Sequence, residues 1–156
     1  VFMELKKKYR SIVYKRRLTL PYDRALDCLT GACPWPETQI GGEIRYTVDF
    51  YPDLESRVFL AYERDSWLAP ESGLRITFDD AIRFRTEELT LDSDPWGTAL
   101  LGPDQVLMEL KAPGAIPLWM VRLLTEMRLY KTSFSKYGTA YQLLLEREWK
   151  GGKRYA

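Results

Sequence analysis

The chain of 156 residues contains no histidine. That absence excludes Ser-His-Asp and Cys-His constellations, imidazole bases and nearly every zinc-enzyme motif. Cysteine is scarce too. Cys28 and Cys33 lack the further ligands of a zinc site and read as reduced thiols of an intracellular, cytoplasmic protein, a disulfide between them being the lesser reading. Long apolar runs are missing. The most apolar one, Ala115 to Leu124, is broken by Pro117 and Arg122 and falls far short of the ~20 residues that span a bilayer, so no membrane segment is expected. An excess of one charge sign is missing as well: 23 Lys+Arg stand against 22 Asp+Glu, a net charge of +1. Bulk charge therefore names no partner, and any basic site must come from how the charges are arranged.

What is present is the composition of a globular domain, 46% hydrophobic and 29% charged, and a recurring alternation. Phe2, Glu4, Lys6 and Lys8 share one face of a first strand, with Met3, Leu5 and Tyr9 opposite. After Arg10-Ser11, Val13, Lys15 and Arg17 alternate against Ile12, Tyr14 and Leu18, which predicts an antiparallel hairpin. A short helix is expected between Pro21 and Gly31, and a second over Glu37 to Phe50, weakened by Gly41-Gly42. Strand patterns return from Arg57 to Trp67, with ambiguous parity, and from Gly73 to Arg85, where Arg75, Thr77, Asp79, Arg83 and Arg85 read as the polar face. In the strand Gln105 to Lys111, the stretch Met108-Glu109-Leu110-Lys111 repeats Met3-Glu4-Leu5-Lys6. A helix from Pro117 to about Leu129 is apolar nearly all round and is expected to be buried on most sides. A last helix begins near Ser135. With no linker or solenoid repeat, residues 1–148 read as one domain and 149–156 as a tail.

The charged faces are rich in cations: Lys6 and Lys8, Lys15 and Arg17, Arg75 with Arg83 and Arg85, then Lys111, against only Glu4, Asp79 and Glu109. Like charges side by side on a sheet repel unless an anion sits among them. A sheet curved until it closes would turn these faces into a basic tunnel, whose focused potential suits a phosphate chain. The acids would then hold a divalent metal bridging phosphate oxygens. A solvated basic surface is the other reading of the same pattern. Trp35, Trp67, Trp96, Trp119 and Trp149 are not grouped on the basic faces, so no stacking platform for nucleic acid is expected.

The segments FMELKKKYRSIVYKRR, AYERDSW, LRITFDD, QVLMELK and YKTSFSKYGTAYQ, in this order, resemble the VTC-type polyphosphate polymerase domain of the triphosphate tunnel metalloenzymes (the CYTH-like superfamily). The resemblance covers Phe2 to about Leu145. It implies an α+β fold, an antiparallel β-barrel with helices packed outside, and ATP, polyphosphate, triphosphate or pyrophosphate as ligands with Mn2+ or Mg2+. Residue by residue, Lys6 matches the Lys of the family's acid-x-Lys strand, and Lys15 and Arg17 the basic pair that follows. Tyr62 and Arg64 match the Tyr-x-Arg strand, Arg75 the Arg-Ile-x-x-Asp strand, Glu109 the metal-binding Glu, and Ser135 and Lys136 the Ser-Lys pair.

Lys6, Arg64, Arg75 and Lys136 are the implied catalytic cations, and Lys8, Lys111 and Lys131 are basic neighbours added to the phosphate-binding set. Glu4 is either a second metal or phosphate-positioning residue or the counter-charge of Lys6. Ser135 reads equally as a helix N-cap, Arg64 as one member of a surface ion-pair cluster, and Lys111 as a solvated lysine at a strand end. The family's first strands, with an Arg-x-Arg pair, are expected before Val1, so this chain reads as a fragment, or as one that borrows strands from another copy in a homo-oligomer. The expected reaction is transfer of the ATP γ-phosphate to a growing polyphosphate chain. The rivals are a triphosphate or nucleoside-triphosphate hydrolase, with Glu4 or Asp79 orienting water, and a non-catalytic polyphosphate-binding module.

Overall fold

Alternation at the start of the chain does make a hairpin. In the computed structural model, which describes residues 1–10 and 12–150 (the side chains of Lys8 and of 147–150 excepted), β1 (Phe2–Tyr9) pairs with β2 (Ile12–Thr19). Arg10, at φ 46°, turns the chain between them. The open end is closed by the amino group of Val1 donating to the Leu20 carbonyl at 2.7 Å. The register sets Glu4 opposite Arg17 and Lys6 opposite Lys15 on one face, and Met3 opposite Leu18 on the other. Of the tail expected over 149–156, residues 149 and 150 continue the last helix and the remainder lies outside the described residues.

The chain falls into two compact units, Val1–Glu55 and Ser56–Ala156. In the first, α1 (Tyr22–Thr30) starts after Pro21 and stops at Gly31, whose φ of 78° is the left-handed conformation glycine adopts without penalty. Its Ala25 and Cys28 pack with Leu20 against Met3, Leu18, Cys33 and Trp35, so the rear of the hairpin is apolar core and the charged face looks away from it. Helix α2 (Gln39–Phe50) begins later than expected because Thr38 caps it, its hydroxyl accepting from the Gly41 N–H at 3.1 Å. Gly41 has a packing reason: a Cβ there would lie 2.3 Å from the Pro36 carbonyl oxygen, while one on Gly42 would meet open space.

In the second unit, β3 (Phe59–Ala69) runs antiparallel to β4 (Leu74–Arg85). The far edge of β4 is shared by β5 (Thr98–Ala99) and β6 (Leu107–Lys111). Two helices follow, α3 (Leu118–Glu126) and α4 (Lys136–Lys150). The fold is thus α+β with antiparallel sheets. Among the described residues the strands form one two-stranded and one four-stranded sheet, and no closed barrel is found.

Two expectations are corrected here. Ala61 pairs with Arg83 but Glu63 with Asp80, so Tyr62 alone faces both Ala81 and Ile82. This is a β-bulge, with Ala81 at φ 45°. The extra residue reverses the alternation. Ile82 and Phe84 join the face of Thr77 and Asp79, and Arg83 and Arg85 move to the opposite one, away from Arg75. Arg85 is buried there and serves the following loop: Nε and Nη2 donate to the Glu88 carbonyl at 3.1 and 2.7 Å, and Nη1 to those of Asp94 and Trp96 at 2.9 and 3.0 Å. Helix α3 is the second correction. Met120 is its buried residue, while Leu118, Trp119, Val121 and Leu123 are exposed, since apolarity buries a helix only where another layer covers it. Among the described residues no helix is long and apolar enough to cross a membrane.

Candidate functional site

Three neighbouring strands set nine side chains of one sheet face in a grid. Across β3, β4 and β6 the rows are Arg64, Asp79 and Leu107; then Ser66, Thr77 and Glu109; then Leu68, Arg75 and Lys111. Cross-strand neighbours lie about 4.5–5.5 Å apart at Cβ, so charges in adjacent cells act on one another directly.

Asp79 anchors the grid. It has no solvent exposure, which for a lone carboxylate would be prohibitive. Arg64 solves this with a forked contact, Nε to Oδ1 at 2.5 Å and Nη2 to Oδ2 at 2.7 Å, and the Lys136 ammonium donates to Oδ2. Burial pushes the Asp79 carboxyl up, but the hydrogen bonds from Arg64 and Lys136 outweigh it and hold the group below the usual carboxylate range. The same bond raises the Arg64 guanidinium well above its ordinary value. Tyr62, on the same face, forms a shelf: the Arg64 guanidinium carbon and the Lys136 ammonium lie 4.9 and 4.5 Å from its ring centroid.

Lys136 reaches Asp79 because α4 starts beside it. Ser135 caps that helix, its hydroxyl accepting from the Gly138 N–H at 3.1 Å. Lys131, in the preceding segment, is exposed. Glu109 accepts from Lys111 at 2.9 Å and stands 4.0 Å from Arg64. Arg75, directly opposite Lys111, is exposed and has no carboxylate within ion-pair distance among the described residues. Four cations thus surround two carboxylates, an excess of two positive charges.

The hairpin carries a separate cluster. Glu4 accepts from Lys15 at 2.7 Å and from Arg17 at 2.5 and 2.6 Å, with Lys6 at 3.8 Å. Burial pushes the Glu4 carboxyl up, but the bonds from Lys15 and Arg17 prevail and lower it. Three cations share this one acid. The Lys8 side chain, expected alongside them, lies outside the described residues.

For a divalent metal the donor set is thin. No group of three or more metal-ligating side chains occurs among the described residues. Asp79 and Glu4 are each occupied by two cations, whereas Glu109 is 43% exposed at its side chain and held chiefly by Lys111. Glu109 is thus the carboxylate that could hold a hard cation, as a single protein ligand.

Sequence reasoning listed Asp79 as an acid of the charged face but missed that it fixes Arg64 and Lys136. It placed Thr77 on the polar face and gave it no role. The alternation Arg75, Thr77, Asp79 already placed all three on one face, and that was the available signal. A family model described as the VTC domain matches residues 1–145 of the chain. No curated protein and no solved structure matches it.

Proposed function

Because the chain belongs to the VTC-domain family, whose function is polyphosphate-related, we propose that it binds ATP and polyphosphate on its basic sheet faces and transfers the γ-phosphate to the growing chain end. The observation that carries this reading is the Asp79 anchor. Arg64 and Lys136 are held in place before any ligand arrives, and Arg75 adds a charge that no carboxylate among the described residues neutralises. Preorganised cations of this kind stabilise charge without reorganising during the reaction. In phosphoryl transfer, positioning and charge neutralisation are nearly the whole task.

Arg64, Arg75 and Lys136 would spread the negative charge of the transferring group, and Tyr62, Lys111, Lys131 and Ser135 would hold flanking phosphates. On the hairpin, Lys6, Lys15 and Arg17 would bind phosphate oxygens, with Glu4 keeping Lys15 and Arg17 aligned. A barrel enclosing the ligand is part of this reading. When bound, Mn2+ or Mg2+ would supply Lewis-acid neutralisation of phosphate oxygens, with Glu109 holding it. Hydrolysis would need a carboxylate to take a proton from water. Glu4 and Asp79 are both bonded by two cations and lowered in pKa, which makes them poor bases. A phosphate acceptor needs no such base.

The test is calorimetry of tripolyphosphate binding with and without Mn2+. Wild type should bind, more tightly with Mn2+. Arg75→Ala should weaken binding by roughly 10- to 100-fold, the loss of one charge-assisted contact, and Glu109→Gln should abolish the Mn2+ response. Incubation with ATP should yield chains longer than the substrate, whereas orthophosphate alone would indicate a hydrolase. Binding that is indifferent to Mn2+ and unchanged in Glu109→Gln would reduce the reading to a polyphosphate-binding module. A Mn2+ response surviving in Glu109→Gln would remove Glu109 as the metal-holding residue, and no binding by wild type would end the reading.

A further inference from the structure

At the centre of the nine-residue grid sits Thr77, 5% exposed, whose hydroxyl has no hydrogen-bond partner among the described residues. Buried polar groups are paired with few exceptions, and each exception needs a reason. Leaving a hydroxyl unsatisfied costs about 1–3 kcal/mol. A valine would fill the same volume without that penalty.

The surroundings indicate what completes the bond. Thr77 lies directly between Ser66 and Glu109 across the strands, and between Arg75 and Asp79 along its own strand. Asp79 does not accept from it; its oxygens take the bonds from Arg64 and Lys136. Glu109, which pairs with Lys111, does not accept from it either. Arg75, next along the strand and opposite Lys111, has no carboxylate within ion-pair distance among the described residues and leaves uncompensated positive charge beside the hydroxyl. An orphan donor beside an arginine without a carboxylate partner suits an anionic oxygen.

We infer that the Thr77 hydroxyl is a phosphate-binding group, donating to a phosphate oxygen drawn in between Arg75 and Glu109. The inference rests on the reading of this face as a phosphate site and adds a neutral donor to its cations. Its role is directional. Lysine and arginine attract an anion from several orientations, whereas one hydroxyl on a rigid central strand fixes where one oxygen sits.

Three proteins decide it: wild type, Thr77→Val and Thr77→Ser, each titrated with sodium tripolyphosphate by calorimetry and melted without ligand. If the hydroxyl binds phosphate, Thr77→Val melts at or above the wild-type temperature yet binds roughly tenfold more weakly, while Thr77→Ser retains binding. A group needed only for folding would lower the melting temperature and leave the affinity of the folded protein unchanged. Wild-type affinity in Thr77→Val overturns the inference, and so does equal weakening in Thr77→Ser. Arg75→Ala runs beside them. If it loses binding while Thr77→Val does not, the phosphate face stands and the hydroxyl is not part of it; if wild type does not bind tripolyphosphate, both readings fall together.

Discussion

Asp79 carries a negative charge with no contact with solvent, and Arg64 and Lys136 compensate it from two directions. Removing one partner of a buried ion pair costs more than the pair contributes, because the remaining charges are stranded. Asp79→Asn should therefore destabilise the protein by about 3 kcal/mol, the low end for such sites because Arg64 stays partly in water. Urea unfolding at neutral pH measures it. The pH dependence follows from the lowered carboxyl. A group whose folded pKa lies below its unfolded value stabilises fully above the unfolded value and loses that contribution as pH falls through the folded one. The stability gap between wild type and Asp79→Asn should thus be constant from neutral pH to about 5 and shrink below about pH 4, the ordinary aspartate range. A gap that widened on acidification would contradict the ion-pair account.

Among the elements, the bulge in β4 decides which side chains meet. One extra residue at Ala81 sends Arg83 and Arg85 to the opposite face from Arg75 and leaves the grid to Asp79, Thr77 and Arg75. Ala81 sits at φ 45°, where a Cβ crowds the backbone by roughly 1–2 kcal/mol and β-branching makes this worse. Ala81→Val should lower stability by at least about 1 kcal/mol, while Ala81→Gly should be neutral or slightly stabilising, as thermal denaturation of the two variants would show. Equal losses in both would mean that the left-handed backbone is not what the position demands.

The same residue shows what the sequence could reveal. The hairpin, the strand ending at Lys111 and the cap at Ser135 follow from alternation and from turn and cap chemistry, which are local. The bulge does not, because an alanine forced into a left-handed conformation looks like any other alanine, where glycine or asparagine would have marked the turn. Unbroken alternation therefore places Arg83 and Arg85 on the basic face, and nothing local to the sequence marks the loop carbonyls that Arg85 binds. Helix α3 failed differently: its apolar surface is plain in the sequence, but burial depends on a partner layer that no periodicity encodes.

At the scale of the whole molecule, a net charge of +1 gives almost no long-range pull on an anion, yet the grid and the hairpin face each hold two more cations than carboxylates. Attraction must therefore act at short range, within about the 10 Å screening length of 0.1 M salt. Two consequences can be separated by titration. Tripolyphosphate affinity should fall as sodium chloride rises from 0.05 to 0.2 M, by several-fold to about tenfold, because each exposed cation is progressively screened. The contribution from Arg64 and Lys136 should persist, since Asp79 holds them partly out of solvent, where screening is weaker. Arg75→Ala removes an exposed cation and should flatten the salt dependence. Asp79→Asn, in whatever fraction remains folded, should steepen it, because Arg64 and Lys136 then lose their anchor and face the solvent like the rest. An affinity indifferent to salt in all three proteins would mean that neutral donors, not the cationic face, hold the phosphate.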